Sequence, residues 1–300
     1  MAGGGFTLVA APSTPTAGWF GGGYATSATS RVDRVTYATD TATATSRGPL
    51  SSARYGLTAT GTNNYGWYIA GYFPEYSTID RVTFTTDTAT ASVRGPLTLG
   101  LYRPSATSDG TTYGWVGGGS PPTSTVSRIT YANDTSTASV RGPIGTSVSG
   151  LASTGSTDYG WFGGGSPLTS TISRITYVTD TATASIRGPL SSARYLLAAT
   201  TDISTYGWFA GGVPSIVSIV ARITYANDTV AASVRGPLTL ARYALSASTD
   251  NSTYGWFGGG QPGPVSIVDR ITYATDTATA TERGSLSLAR RLLAGTSGIQ

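Results

Sequence analysis

Apolar and polar residues alternate with a period of two along this chain, and no stretch shows helical periodicity. In SIVARITYAND, Ile223 and Tyr225 alternate with Arg222 and Thr224, which predicts a strand with two distinct faces. Ahead of it, ARYLLAAT (residues 193–200) and YGWFAGG (residues 206–212) predict two short strands joined by a polar loop. Asn227 and Asp228 then predict a turn, since both tolerate left-handed backbone and can bond their own main chain. TVAASV follows as a fourth strand and stops at Arg235-Gly236-Pro237, where glycine and proline end a ladder.

This pattern recurs along the chain. Trp19, Trp67, Trp115, Trp161, Trp208 and Trp256 follow one another at nearly constant intervals. RVTY, RVTF or RITY begins at Arg34, Arg81, Arg128, Arg174, Arg222 and Arg270. An aspartate keeps step behind each of them, at Asp40, Asp87, Asp134, Asp180, Asp228 and Asp276, and an RGP or RGS motif follows every time. Six units of about 47 residues fill residues 1–300 and leave no room for a linker or second domain. A four-stranded unit cannot cover both of its faces alone, whereas neighbours in a ring cover them for each other. The prediction is therefore an all-β protein, a six-bladed β-propeller with four antiparallel strands per blade. In YGWFGGG (residues 159–165) the aromatics fill the space between blades, while the glycines let the backbone bend and approach the next blade.

Both termini carry a candidate inner strand for the first blade. FTLVAA starts at Phe6, as far ahead of Trp19 as Tyr195, the start of YLLAAT, lies ahead of Trp208. RRLLAGT from Arg290 competes for the same slot and only one copy can fill it; the C-terminal copy matches the repeat better and would lock the last blade to the first, leaving the N-terminal copy as an arm that packs on another subunit or frays, but the sequence alone leaves both solutions open.

The wording R-x-L-L-A-A-T, Y-G-W-F-G-G-G, R-I-T-Y-A-N-D resembles the kelch propeller repeat, in which an aromatic precedes a glycine doublet and a tyrosine-aspartate pair follows. Gly211 and Gly212 match the doublet, and Tyr225 and Asp228 approximate the pair with two residues inserted. The fourth strand departs from that pattern, with small residues where kelch repeats carry tryptophan. The repeats also resemble those of structural and tail-fibre-like proteins of tailed bacteriophages, notably those infecting marine cyanobacteria. That second resemblance implies a virion component.

Composition narrows the chemistry. Charged residues make up 11% of the chain, against about 25% in an ordinary soluble domain. All 19 basic residues are arginine, and histidine and cysteine are absent. No thiolate, imidazole or lysine amine is then present for nucleophilic or general-base work, which argues against an enzyme. It also removes the histidine ligands that copper oxidases related to kelch propellers use. No cofactor is expected. The start, MAGGGFTLVAAPSTPTAG, lacks the basic and long apolar regions of a signal peptide, and no segment approaches the roughly 18 apolar residues of a membrane helix. A soluble chain without membrane insertion is expected. The arginines follow the repeat and do not cluster along a groove, so no nucleic acid is expected as a partner.

Antiparallel blades sort their links onto two faces. The face with the links between second and third strands and between blades should be positive, carrying the RGP arginines plus Arg54, Arg194, Arg242 and Arg290. Those four, starting inner strands, are candidates for an anion site at the channel mouth. A structural role for the RGP arginines, pairing with Asp33, Asp80 or Asp269, competes with it. The opposite face should be negative, with the turn aspartates and Asp109, Asp158, Asp202 and Asp250. Asx turns account for the turn aspartates better than calcium, since no alternating Asp/Asn spacing is present, and no metal is expected.

Function is sought where repeats disagree. In blade 2, AGYFPEYSTID replaces the glycine-rich link and places Tyr72, Phe73, Glu75 and Tyr76 together, a candidate site for a sugar or protein partner. Leu101 and Val148 replace the inner-strand arginine in blades 3 and 4, and Arg103-Pro104 follows in blade 3. The expectation is a non-enzymatic structural or binding propeller of a phage virion (tail fibre, appendage or capsid-associated) that contacts host-surface glycan or other virion proteins, with a homo-oligomer compatible. The alternative is a cytoplasmic or extracellular kelch-like adaptor or lectin.

Overall fold

The computed structural model describes residues 14–73 and 76–297, and it forms six four-stranded antiparallel sheets. Blade 5 shows the plan: inner strand Ala198–Thr201, second Tyr206–Ala210, third Val220–Thr224 and outer Ser233–Val234. Together the sheets are the six blades of a β-propeller, as the repeat predicts. In blade 1 the inner strand is Ala294–Thr296, and it pairs with Ala17–Gly21 through Trp19 opposite Thr296. The C-terminal copy thus occupies the closing slot. The competing N-terminal copy, FTLVAA, lies outside the described residues. Among the described residues no helix is long and apolar enough to cross a membrane.

Alternation along the second strand fills the gaps on both sides of a blade. Trp208 turns toward blade 6, stacking on Tyr273 at 4.1 Å. Its neighbour Phe209 turns the other way, into a core with Ala152 and Trp161 of blade 4. Every gap repeats this stack, with Trp256 on Tyr37 at 3.7 Å sealing blade 6 to blade 1. At the gap between blades 1 and 2, Trp19 stacks on Phe84 instead of a tyrosine.

The expected Asn-Asp turn is a single turn of 3-10 helix, Tyr225–Asn227, and Asp228 has φ −77°, so no left-handed residue is used. The aspartate's work lies in the next gap. Asp134 of blade 3 accepts Trp67 Nε1 (2.8 Å) and Arg81 Nη1 (3.0 Å) from blade 2, and Arg94 Nε of the RGP motif lies 3.5 Å away. Gly95 N–H also donates to the Asp134 carbonyl at 2.8 Å. The turn aspartates are buried and neutralised by arginines of the preceding blade, so they do not make a negative face. The RGP arginines pair with these aspartates and not with Asp33, Asp80 or Asp269. Here the end of each outer strand reaches the turn of the next blade, and the sorting of links onto two faces fails at the rim.

That approach explains the glycine of RGP. A Cβ on Gly236 would collide with the backbone carbonyl of Ala278 in the next blade, and the other five motifs meet an equivalent carbonyl. Arginine supplies the charge, and glycine lets it come close enough.

Candidate functional site

The glycine bend after the second strand builds the channel mouth. Gly211 (φ 69°) and Gly212 (φ 113°) turn left-handed, and Gly212 N–H donates to the carbonyl of Arg242 at the start of blade 6. Two residues beyond each such carbonyl the backbone is left-handed again, at Gly56, Arg103, Gly150, Leu196, Ala244 and Leu292, with φ between 53° and 64°. Their peptide groups form a closed circuit. Arg103 N–H donates to Gly56 (2.7 Å), Gly150 to Arg103 (2.9 Å), Leu196 to Gly150 (2.6 Å), Ala244 to Leu196 (2.8 Å), Leu292 to Ala244 (2.8 Å) and Gly56 to Leu292 (2.7 Å). Left-handed backbone costs a non-glycine residue about 1–2 kcal/mol, and this ring of bonds offsets it.

The axial cavity beneath the ring is only about 90 Å³. That is well under the ~300 Å³ of a small-molecule pocket. A ligand would therefore sit over the mouth.

The four arginines expected at that mouth are elsewhere. Arg54, Arg242 and Arg290 are 0% exposed and Arg194 is 2% exposed. Arg290 shows why: its Nε and Nη2 donate to the carbonyls of Gly22 and Phe20 (both 2.8 Å), and its Nη1 pairs with buried Asp33 at 2.8 Å. Arg54 and Arg242 pair likewise with Asp80 (3.0 Å) and Asp269 (3.1 Å). These guanidiniums brace the bend from inside, with no charge presented to the channel. Blade 5 breaks the set. Ala221 stands where blades 1, 2 and 6 have aspartate, Arg194 has only carbonyl partners, and burial lowers its pKa to about 10.

The mouth carries tyrosines instead. The residue before each left-handed position is Tyr55, Tyr102, Ser149, Tyr195, Tyr243 or Arg291, each bridged to the residue after a glycine bend. On blades 1 to 3 these side chains meet. Tyr55 contacts Tyr24 (centroids 5.2 Å), Tyr72 (5.5 Å) and Tyr102 (5.7 Å), and Tyr72 lies 5.4 Å from Tyr102. Arg103 Cζ sits 4.4 Å over the Tyr102 ring and Arg291 Cζ 5.0 Å over Tyr24. Across the channel, Leu196, Val213 and Ala244 form a small apolar cluster with Tyr195, Tyr243 and Leu292. Desolvation raises the pKa of Tyr55 and Tyr102, and the nearby Arg103 and Arg291 charges oppose that rise at both phenols.

Of the blade 2 candidates, Tyr72 (41% exposed) joins this cluster. Phe73 projects beside it, 62% exposed at φ 115°. Tyr76 is half-buried, its phenol near enough to Arg54 to influence that guanidinium. Glu75 lies outside the described residues. Sequence reasoning missed Tyr24, Tyr55, Tyr102 and Arg291. For Tyr55, Tyr102 and Arg291 the signal is the aligned repeat position reading Tyr55, Tyr102, Ser149, Tyr195, Tyr243, Arg291, in which tyrosine gives way once to serine and once to arginine.

Three of the four acids expected on the opposite face serve their own loops; at the fourth, the exposed Asp158, Ser156 Oγ accepts the loop N–H groups instead. Asp109 Oδ1 accepts the N–H groups of Thr111 (2.9 Å), Thr112 (2.7 Å) and Tyr113 (3.0 Å), and Asp202 and Asp250 repeat the pattern. No protein-family model matches the chain, and no curated protein matches it.

Proposed function

We propose that the chain is a non-enzymatic binding propeller that holds a glycan over the channel mouth of blades 1 to 3 and serves as a component of a phage virion. The observation that carries the binding role is the fused tyrosine cluster, Tyr24, Tyr55, Tyr72 and Tyr102, whose rings are anchored on a rigid backbone circuit. Aromatic faces held at low conformational cost suit the apolar faces of sugar rings. Phe73 supports the same role as an exposed aromatic next to Tyr72, held at φ 115° outside the backbone circuit that accounts for the other left-handed residues of the mouth. A non-enzymatic role is favoured by the lack of histidine, lysine and cysteine and by the engagement of most described acids in gaps and loops. The virion assignment draws on the resemblance of the repeats to phage tail-fibre-like proteins.

A glycan array probed with wild type and with Tyr55→Ala/Tyr72→Ala tests the binding role. Signals that vanish in the variant while its melting transition persists support it. Absence of any wild-type signal removes the glycan and leaves contacts with other virion proteins. Neighbouring tail or capsid genes support the virion, and their absence favours a cellular lectin.

A further inference from the structure

Among the described residues, sixteen of the nineteen arginines have a carboxylate within 4.0 Å. The three without one are Arg194, Arg103 and Arg291. Arg194 is buried on carbonyls of its own blade. Arg103 and Arg291 are half-buried at the mouth, and both break the repeat: Arg103 stands where other blades have Gly, Leu or Ala, and Arg291 where most have Tyr. Arginines that recur serve the scaffold, and so does the singular Arg31, which reaches Asp33 (3.5 Å) and Ser287 Oγ (2.7 Å); Arg103 and Arg291, the other two that do not recur, share one patch.

They also bracket the aromatic cluster. From Arg291 the groups run Tyr24, Tyr55, Tyr102 to Arg103, each ring within 5.7 Å of the next. Arg103 holds a left-handed backbone, φ 56°, at a position where blades 2 and 4 have glycine. The Nε atoms of Arg103 and Arg291 are buried without a partner, so an oxyanion would meet the Nη N–H groups, whose fork matches the two oxygens of a carboxylate or sulfate. The cavity of about 90 Å³ below keeps the ligand at the surface.

We infer that the ligand is an acidic saccharide, whose carboxylate or sulfate groups are held by Arg103 and Arg291 at the two ends of the cluster while its rings lie on Tyr55, Tyr72 and Tyr102. This rests on the glycan-binding role proposed above.

The test uses the full chain with four probes: an oligogalacturonate, its methyl ester, a sulfated galactan oligosaccharide and its desulfated form. Wild type should bind at least one acidic probe about tenfold or more tighter than its neutral partner, with affinity falling as salt rises. Arg103→Gln and Arg291→Gln should each remove most of that preference, leave neutral probes within about twofold, and keep the wild-type melting transition. Tyr55→Ala should weaken acidic and neutral probes alike. Equal wild-type affinity for acidic and neutral forms, still lost in Tyr55→Ala, overturns the acidic ligand and leaves glycan binding standing. No binding of any probe overturns both. Preference for an acidic probe unchanged by either arginine variant overturns the site.

Discussion

At the gaps between blades the same side chains recur around the ring, whereas at the channel mouth the six repeats share a backbone and little else. The gap needs the tryptophan, the third-strand arginine, the RGP arginine and glycine, and the turn aspartate, because two backbones touch there and three donors converge on one carboxylate. The mouth holds its shape through peptide groups alone, so a glycine, a leucine or an arginine serves equally in the circuit. Identity is enforced where side chains of two blades must meet, and variation is free where the main chain already satisfies itself.

Alkaline titration should break this contrast most strongly. The phenols of Tyr37, Tyr131, Tyr177, Tyr225 and Tyr273 are buried in the gaps, and desolvation raises their folded pKa values above the ordinary 10. A raised folded pKa gives stability that is complete below pH 10 and is lost as pH rises, since the unfolded chain releases those protons first. Each phenol then contributes a fall of up to about 1.4 kcal/mol per pH unit. Denaturant titrations at successive pH values above 10 should show a steep loss, and a flat profile would place these rings in water.

Asp134→Ala comes next, because it strands Trp67 Nε1 and two guanidiniums between blades 2 and 3. A loss of about 3–5 kcal/mol in urea unfolding is expected. Gly236→Ala should cost about 2–3 kcal/mol, since its methyl meets the Ala278 carbonyl and the neighbouring blade must shift. A near-neutral result would mean that the blades slide past one another freely.

Arg194→Leu sharpens the comparison within the scaffold. Blades 3 and 4 already carry Leu101 and Val148 there, with Ser127 and Ser173 opposite, so the buried arginine and acid disappear together. Arg194 lacks the acid, and replacing it should leave stability unchanged or raise it by about 1–2 kcal/mol in chemical denaturation. A large loss would show that its bonds to the Phe209, Gly211 and Ile219 carbonyls outweigh its desolvation. The smallest effect is expected at the mouth. Arg103→Gly should keep or gain up to about 1 kcal/mol in melting experiments, because glycine takes φ 56° without strain. Marked destabilisation would make Arg103 part of the scaffold.

The candidate site was only partly legible beforehand. Tyr72 and Phe73 stood out because blade 2 rewrites its link there, whereas Tyr55 and Tyr102 sit inside a familiar ARY or LYR context and look like repeat residues. Arg54 and its equivalents misled for the converse reason: an arginine at the start of an inner strand points to the channel unless main-chain carbonyls, with an acid in three of the four blades, pull it inward. Asp33, Asp80 and Asp269 were visible in the sequence, but their closeness to those arginines was not.

The chain by itself determined the number of blades, the order of strands within each and the tryptophan core, because alternation and repeat length act locally along the backbone. The tertiary structure decided which terminus closes the ring, which arginine meets which aspartate, that the axial cavity is too small for a sugar, and that tyrosines of three blades share one patch. Partners across a gap lie far apart in sequence, 67 residues for Trp67 and Asp134, and a periodic pattern states that residues recur without stating which neighbour they face. Packing blades around an axis supplies that information, since only the ring brings one repeat's end against the next repeat's turn.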